Sequence, residues 1–168
     1  MKWSELLGPK LQTKEGLQDT DDRLTGKKVV GFYFCGHKLG PLDEHYTFYL
    51  KDLYQHTIMA YPEVEFIYVS SDSDLEQYNK YFELLKFPAV PFDERATIEA
   101  LNTKFGFQAY PIMIFFNGEG KVITSDGLCR AVNVRGDGYF LWEGLMKMQY
   151  PDNYWEYTRS RYGRRWKK

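Results

Sequence analysis

Two short, unbroken apolar runs constrain the fold of this chain most. Val29 to Phe34 reads VVGFYF, and Val64 to Val69 reads VEFIYV. A continuous apolar run of this length, rich in β-branched and aromatic residues, fits a strand buried on both faces of a covered sheet. Between the runs, after Gly36, the apolar residues recur at steps of three and four: Leu42, Tyr46, Tyr49, Leu50 and Leu53. That spacing predicts one face of a helix. Pro41 falls in its first turn, where a missing N–H loses no hydrogen bond, and Tyr61-Pro62 breaks the pattern. A helix crossing between two strands makes them parallel.

The remaining elements follow from local chemistry. Leu6 to Gln12 reads as a short first strand, with a polar turn at Lys14–Gly16 and a polar approach, Asp19–Asp22, to Leu24. Ser71, Asp72, Ser73 and Asp74 offer N-capping side chains for a helix over Leu75–Leu85. Phe87 to Phe92 (FPAVPF) is a loop, since two prolines do not fit one regular element. Ile98, Leu101 and Phe105 line a further helix, with Gly106 placed to end it. Pro111–Phe116 and Lys121–Thr124 flank Asn117-Gly118-Glu119-Gly120, which predicts an antiparallel hairpin. A helix fits between Asp137 and Met148. The resulting order, β-α-β-α-α-β-β, predicts an α/β sandwich with a mixed central sheet closed by the hairpin. Phe34, Leu50, Phe66, Ile114 and Phe116 are its expected core.

Length and composition agree: 168 residues suggest one domain, and 43% apolar with 18% aromatic residues can fill a core. Two cysteines exclude a disulfide-dense secreted scaffold and read as thiols in a reducing compartment. No apolar run approaches a membrane span. The N-terminus shows neither a signal-peptide apolar region nor an arginine-rich leader, although a processed chain would hide one. The net charge of −1 conceals an asymmetry: six of the 22 basic residues fall within 159–168, leaving 16 against all 23 acidic ones, so a tail of +6 follows a body of −7.

The element order, with Tyr110-Pro111 opening the third core strand, resembles the thioredoxin fold. The segments LLGPKLQTKEG, LTGKKVVGFYF, VEFIYVSSDSDLEQYNKYFELLKFPAVPFDER and ALNTKFGFQAYPIMIFFNGEGKVITSDG resemble its tryparedoxin and nucleoredoxin branch from about Leu6 to Trp142. The most specific feature is Ala89–Phe92 (AVPF) at its distance from Lys104-Phe105-Gly106 and Tyr110-Pro111. The resemblance implies a thioredoxin-like three-layer sandwich over residues 1–148, followed by a basic, aromatic extension over 149–168. It also implies a cis peptide bond before Pro111, beside the place where the family keeps its redox site.

In that family a Trp-Cys-Pro-Pro-Cys run opens the helix. Lys38-Leu39-Gly40-Pro41-Leu42 occupies those positions here, so the resemblance places Leu39 and Leu42 where both redox cysteines would stand. Dithiol exchange needs a thiolate at the helix N-terminus and a second thiol to resolve the mixed disulfide. Two leucines supply neither. Cys35, four residues before the usual nucleophile, is the alternative: a monothiol centre, or a small buried apolar residue, which is the preferred reading. Cys129 is read the same way, on an edge segment after the hairpin. A Cys35–Cys129 disulfide would require Cα atoms within about 7 Å. His37 and Lys38 fall on the rim of the degenerate site, where His37 could pair with Cys35. His45 and His56 read as surface residues of the helix. No His, Cys and carboxylate spacing suggests a metal, and no cofactor is implied.

The extension mixes rings with cations. Tyr154, Trp155, Arg159, Arg161, Arg164, Arg165 and Trp166 are candidate partner-binding residues, because arginine and aromatic side chains favour protein interfaces and RNA alike. The expectation is a redox-inactive thioredoxin-like binding or structural subunit of a larger assembly, held by this tail on an acidic protein surface or on RNA. The expected setting is cytoplasmic, with a ciliary axoneme, a mitochondrial ribosome or a respiratory complex as candidate assemblies. The rival expectation is an atypical monothiol oxidoreductase using Cys35.

Overall fold

The computed structural model describes residues 1–36, 41–105, 111–125, 127–132 and 139–147. In chain order the elements are α1 (Ser4–Leu7), β1 (Lys10–Thr13), β2 (Gly16–Asp19), α2 (Thr20–Leu24), β3 (Val29–Cys35), α3 (Pro41–Ala60), β4 (Val64–Ser70), α4 (Leu75–Leu85), α5 (Arg95–Phe105), β5 (Ile112–Asn117), β6 (Val122–Thr124), α6 (Gly127–Val132) and α7 (Tyr139–Lys147).

The two apolar runs are adjacent parallel strands, in register from Val29 opposite Val64 to Cys35 opposite Ser70. β5 runs antiparallel to β3 on its other side, and β6 closes the hairpin, giving the order β4-β3-β5-β6. The hairpin turn is organised by Asn117, whose Oδ1 accepts from the amides of Glu119 and Lys121 at 3.0 Å each. Alternation along the strands splits the core into two layers. Val29, Tyr33, Phe66, Tyr68 and Phe115 face α3, α4, α6 and α7, while Phe32, Phe34, Ile67, Ile114 and Phe116 face α1, α2 and α5. All five expected core residues are fully buried. Gly31 lies where the strands and rings pack closest: a methyl group there would meet Met113 Cε at 2.5 Å and Phe115 Cε1 at 2.7 Å.

The N-terminal segment departs from the expected single strand over Leu6–Gln12. α1 ends at Leu7, Gly8 turns the chain at φ +82°, and β1 begins at Lys10. β1 and β2 form their own antiparallel hairpin. The polar approach at Asp19–Asp22 opens α2: Asp19 caps the helix by accepting from the Asp22 amide at 3.0 Å. Short, polar and helical for barely a turn, this region gave no periodicity to read. The proline-bearing loop at 87–92 is irregular as expected, yet its backbone pairs on both sides. Ala89 exchanges hydrogen bonds with Gln12 at 2.8 and 2.9 Å, and Tyr68 pairs with Pro88 and Val90 at 2.8 and 3.0 Å. The loop therefore ties the small hairpin to the open edge of β4. Cys129 lies in α6 rather than on an edge segment. Six residues after a hairpin were too short a window for a helical period.

Asp74 caps α4 as expected, accepting from the amides of Glu76 and Gln77 at 2.7 and 3.3 Å. In α3 the buried stripe is Thr47, Leu50, Leu53, Tyr54 and Thr57. Tyr49, expected inside, is exposed and Tyr46 is half-buried. The two threonines displace them because each has a buried polar partner. The Tyr33 hydroxyl lies 3.1 Å from Thr47 Oγ1, and Trp142 Nε1 donates to Thr57 Oγ1 at 3.1 Å.

Candidate functional site

The candidate site is the end of the sheet where the parallel strands β3 and β4 both finish and α3 begins. Cys35 is the last residue of β3 and is 0% exposed, enclosed by the core layer beneath α3. Its carbonyl accepts from the Ser71 amide at 2.9 Å, which fixes the exit of β4 against the exit of β3. Gly36 follows. A side chain there would run into Ser71 Oγ and approach Asp72 Oδ1 to 3.2 Å, so it would require the Ser71 side chain to turn away. Pro41 is the first residue of α3, as its fixed φ favours. Phe34 pairs with Ile112, so Pro111 reaches the sheet at this same end.

A polar lattice closes the site on the β4 side. The buried Asp72 receives its own backbone bond from Ser70 Oγ, whose oxygen accepts from the Asp72 amide at 3.0 Å. Arg95 donates to the Asp72 carbonyl at 2.8 Å and to the Phe92 carbonyl at 2.6 Å. Its guanidinium stacks 4.1 Å above the Phe92 ring. The Tyr78 hydroxyl donates to the Val90 carbonyl at 2.9 Å. Burial pushes the Tyr78 hydroxyl far above its ordinary pKa. Tyr68, fully buried beside Cys35, is likewise held well above its ordinary value, first by desolvation and then by the neighbouring Cys35. Among the described residues its hydroxyl has no partner in hydrogen-bonding geometry. Ser70, turned toward Asp72, stands near it and slightly eases its ionisation without meeting it in bonding geometry. The result is a hydrogen-bonded strand end with the Cys35 thiol buried inside it.

His37, Lys38 and Leu39 lie outside the described residues, as do Tyr110 and with it the bond to Pro111. So do the tail candidates Tyr154, Trp155, Arg159, Arg161, Arg164, Arg165 and Trp166. Leu42 and Cys129 are described as backbone positions of α3 and α6. His45 and His56 are on the exposed face of α3, as expected. The His45 ring lies 4.9 Å from Tyr49, and His56 Nδ1 is 2.8 Å from the Asp52 carbonyl. Among the described residues no three His, Cys, Asp or Glu side chains could hold a metal, and no helix is long and apolar enough to cross a membrane.

Sequence reasoning missed a second polar centre at the opposite end of β4. Glu65, 1% exposed, pairs with Arg23 of α2 at 3.1 Å and accepts from the Phe66 amide at 3.0 Å. Arg23 also donates to Gln18 at 3.2 Å. Tyr54 joins them; burial and then Glu65 hold its hydroxyl far above the ordinary range. The signal was in the sequence: a glutamate inside a strand buried on both faces demands a cation. A cleft of about 480 Å³ opens beside the pair, lined among others by Asp22, Arg23, Lys27 and Glu65.

Comparison with known proteins agrees with this architecture. A family described as thioredoxin-like matches residues 26–122. Nucleoredoxin of Danio rerio is 30% identical over 135 residues, 80% of this chain and 32% of its own length. Probable nucleoredoxin 1 of Arabidopsis thaliana is 29% identical over 129 residues, 77% of this chain and 22% of its own. This chain thus spans about a third or less of the curated nucleoredoxins it matches. Among solved structures, tryparedoxin from Trypanosoma brucei superposes with a TM-score of 0.69 at 25% identity, covering 80% of this chain and 91% of that one. Thioredoxin from Wuchereria bancrofti gives 0.67 at 29%, covering 83% and 96%.

Proposed function

The chain belongs to the thioredoxin-like family, and from that premise we propose that it is a redox-inactive member, a binding or structural subunit of a larger assembly. The observation that carries the proposal is chemical. Around the start of α3 the chain reads Lys38-Leu39-Gly40-Pro41-Leu42, with no cysteine where exchange chemistry would need two. The nearest thiol, Cys35, is 0% exposed at the end of β3. A thiolate at a helix N-terminus is stabilised and reachable; a thiol enclosed by Tyr68 and the α3 layer is neither. The fold without the nucleophile supports binding without turnover.

The second half of the proposal concerns the tail. Residues 149–168 form a unit separate from the sandwich of 1–148. Their rings and cations anchor the protein on its partner, an acidic protein surface or RNA, in a cytoplasmic setting such as an axoneme. Simple charge pairing contributes only about 0–1 kcal/mol per exposed ion pair, whereas buried aromatic and arginine anchors dominate interfaces. Deleting 150–168 releases the protein from its assembly in cell fractionation, and full retention of the shortened chain overturns the anchor.

The catalytic half is tested with purified protein in an insulin-type disulfide reduction assay with a dithiol donor. No turnover above the donor's own rate is expected. Turnover comparable with a dithiol-bearing relative overturns the proposal; if Cys35→Ser then abolishes it, the thiol of Cys35 is the nucleophile and the monothiol reading replaces this one.

A further inference from the structure

α3 carries apolar side chains on both faces. Its buried stripe contains Thr47 and Thr57, while its outward stripe, at the same helical spacing, runs through His45, Phe48, Tyr49, Asp52, His56 and Met59. Phe48, Tyr49 and Met59 are 54%, 48% and 87% exposed. Single exposed apolar side chains are ordinary. Here they follow one line along a 20-residue helix, which is the pattern of a face that something covers. The full charge on that line is Asp52; Glu44, exposed, and Lys51, half-buried, flank it seven residues apart on the same side of the helix.

We propose that this stripe is the docking surface of the chain's own C-terminal segment, residues 150–168, which rests there until a partner competes for it. Three observations select that occupant. The first is connectivity: α7, the last described element, packs in the same layer as α3, and Trp142 of α7 donates to Thr57 of α3 at 3.1 Å. The second is reach. The chain continues for 21 residues beyond Lys147, enough to extend up to about 70 Å, while α3 is about 30 Å long. The third is complementarity. The segment carries six cations within 159–168 and the rings Tyr154, Trp155, Tyr157, Tyr162 and Trp166. Phe48 and Tyr49 offer ring faces to arginine and to other rings, and Glu44 and Asp52 offer carboxylates. The proposal rests on the tail being a binding segment, and adds where it binds when the protein is alone.

The test uses the full-length protein. Tryptic cleavage within 159–168 is timed by mass spectrometry under native conditions and compared with a synthetic peptide of residues 150–168. Docking predicts cleavage about tenfold slower in the protein than in the peptide, because only the released tail is cut. Phe48→Ser with Tyr49→Ser, and separately Glu44→Lys with Asp52→Lys, each restore most of the peptide's rate while the melting temperature stays within about 2 °C. The second pair keeps the test decisive if the first disturbs the fold. Equal rates in protein and peptide overturn the proposal, as does protection that neither pair relieves. Protection that fades on dilution also overturns it, because it assigns the stripe to a second copy's tail. An unprotected tail whose deletion still releases the protein from its assembly overturns the docking and leaves the anchor standing.

Discussion

Single buried side chains define both polar centres of the protein. Tyr54, Tyr68 and Tyr78 all have hydroxyls pushed far above the ordinary value of about 10, in each case chiefly by burial. Their ionisation therefore belongs to the unfolded chain. Above about pH 10 the unfolded tyrosines lose protons that the folded ones keep, so the unfolded state binds fewer protons and stability falls as pH rises. Below that pH the contribution is constant. The expected outcome is a plateau to about pH 9.5 and a decline beyond it in denaturant unfolding. Tyr68→Phe should lessen the slope by up to about 1.4 kcal/mol per pH unit. At neutral pH it should leave stability unchanged or improved, since among the described residues its hydroxyl has no hydrogen bond to lose. An unchanged alkaline slope in the variant would show that the Tyr68 hydroxyl reaches solvent.

The elements show where local rules held and where they were strained. α4 starts on a side chain suited to the task, Asp74, but ends on one that is not. Lys86 occupies its C-cap at φ +65°, a left-handed conformation normally left to glycine, with its amide bonded to the Phe82 carbonyl. A side chain in that region costs about 1 kcal/mol or more. Lys86→Gly is expected to stabilise the protein by about 0.5–1 kcal/mol, raising the melting temperature by roughly 1–4 °C. A calorimetric scan checks it; a lower melting temperature would mean that the lysine side chain contributes more than the strain removes.

The whole molecule is held by a ring cluster that spans its layers on one side. Phe66 in β4 lies 5.5 Å from Tyr54 of α3, 5.5 Å from Phe87 of the proline loop, 6.2 Å from Phe115 of β5 and 5.7 Å from Trp142 of α7. Removing this ring would leave a cavity bordered by four elements that cannot all close in on it. Phe66→Ala is expected to destabilise by about 3–5 kcal/mol, a large share of a typical domain's stability. Because the cluster joins α7 to the sheet, the same variant should lose amide protection in α7 together with β4 in hydrogen exchange. Loss confined to the neighbourhood of β4 would show that α7 is held by other contacts.

The sequence alone determined the features whose information is local and periodic. Val29–Phe34 and Val64–Val69 announced buried parallel strands, Asn117-Gly118 announced the hairpin, and Asp74 announced the start of α4, because each needs only near neighbours to have its effect. The sequence also shows that Lys38–Leu42 contains no cysteine, since that is a matter of composition. Tertiary structure decided which face of α3 is inside. Thr47 and Thr57 have less apolar surface to bury than Tyr46 and Tyr49, yet the Tyr33 hydroxyl and the Trp142 indole across the core give each threonine a buried partner. It likewise decided that Arg23 serves Glu65, 42 residues away, and that the loop at Ala89 completes a sheet edge. Each depends on a partner distant in the chain, and a polar side chain reveals which partner it has only once the fold brings the two together.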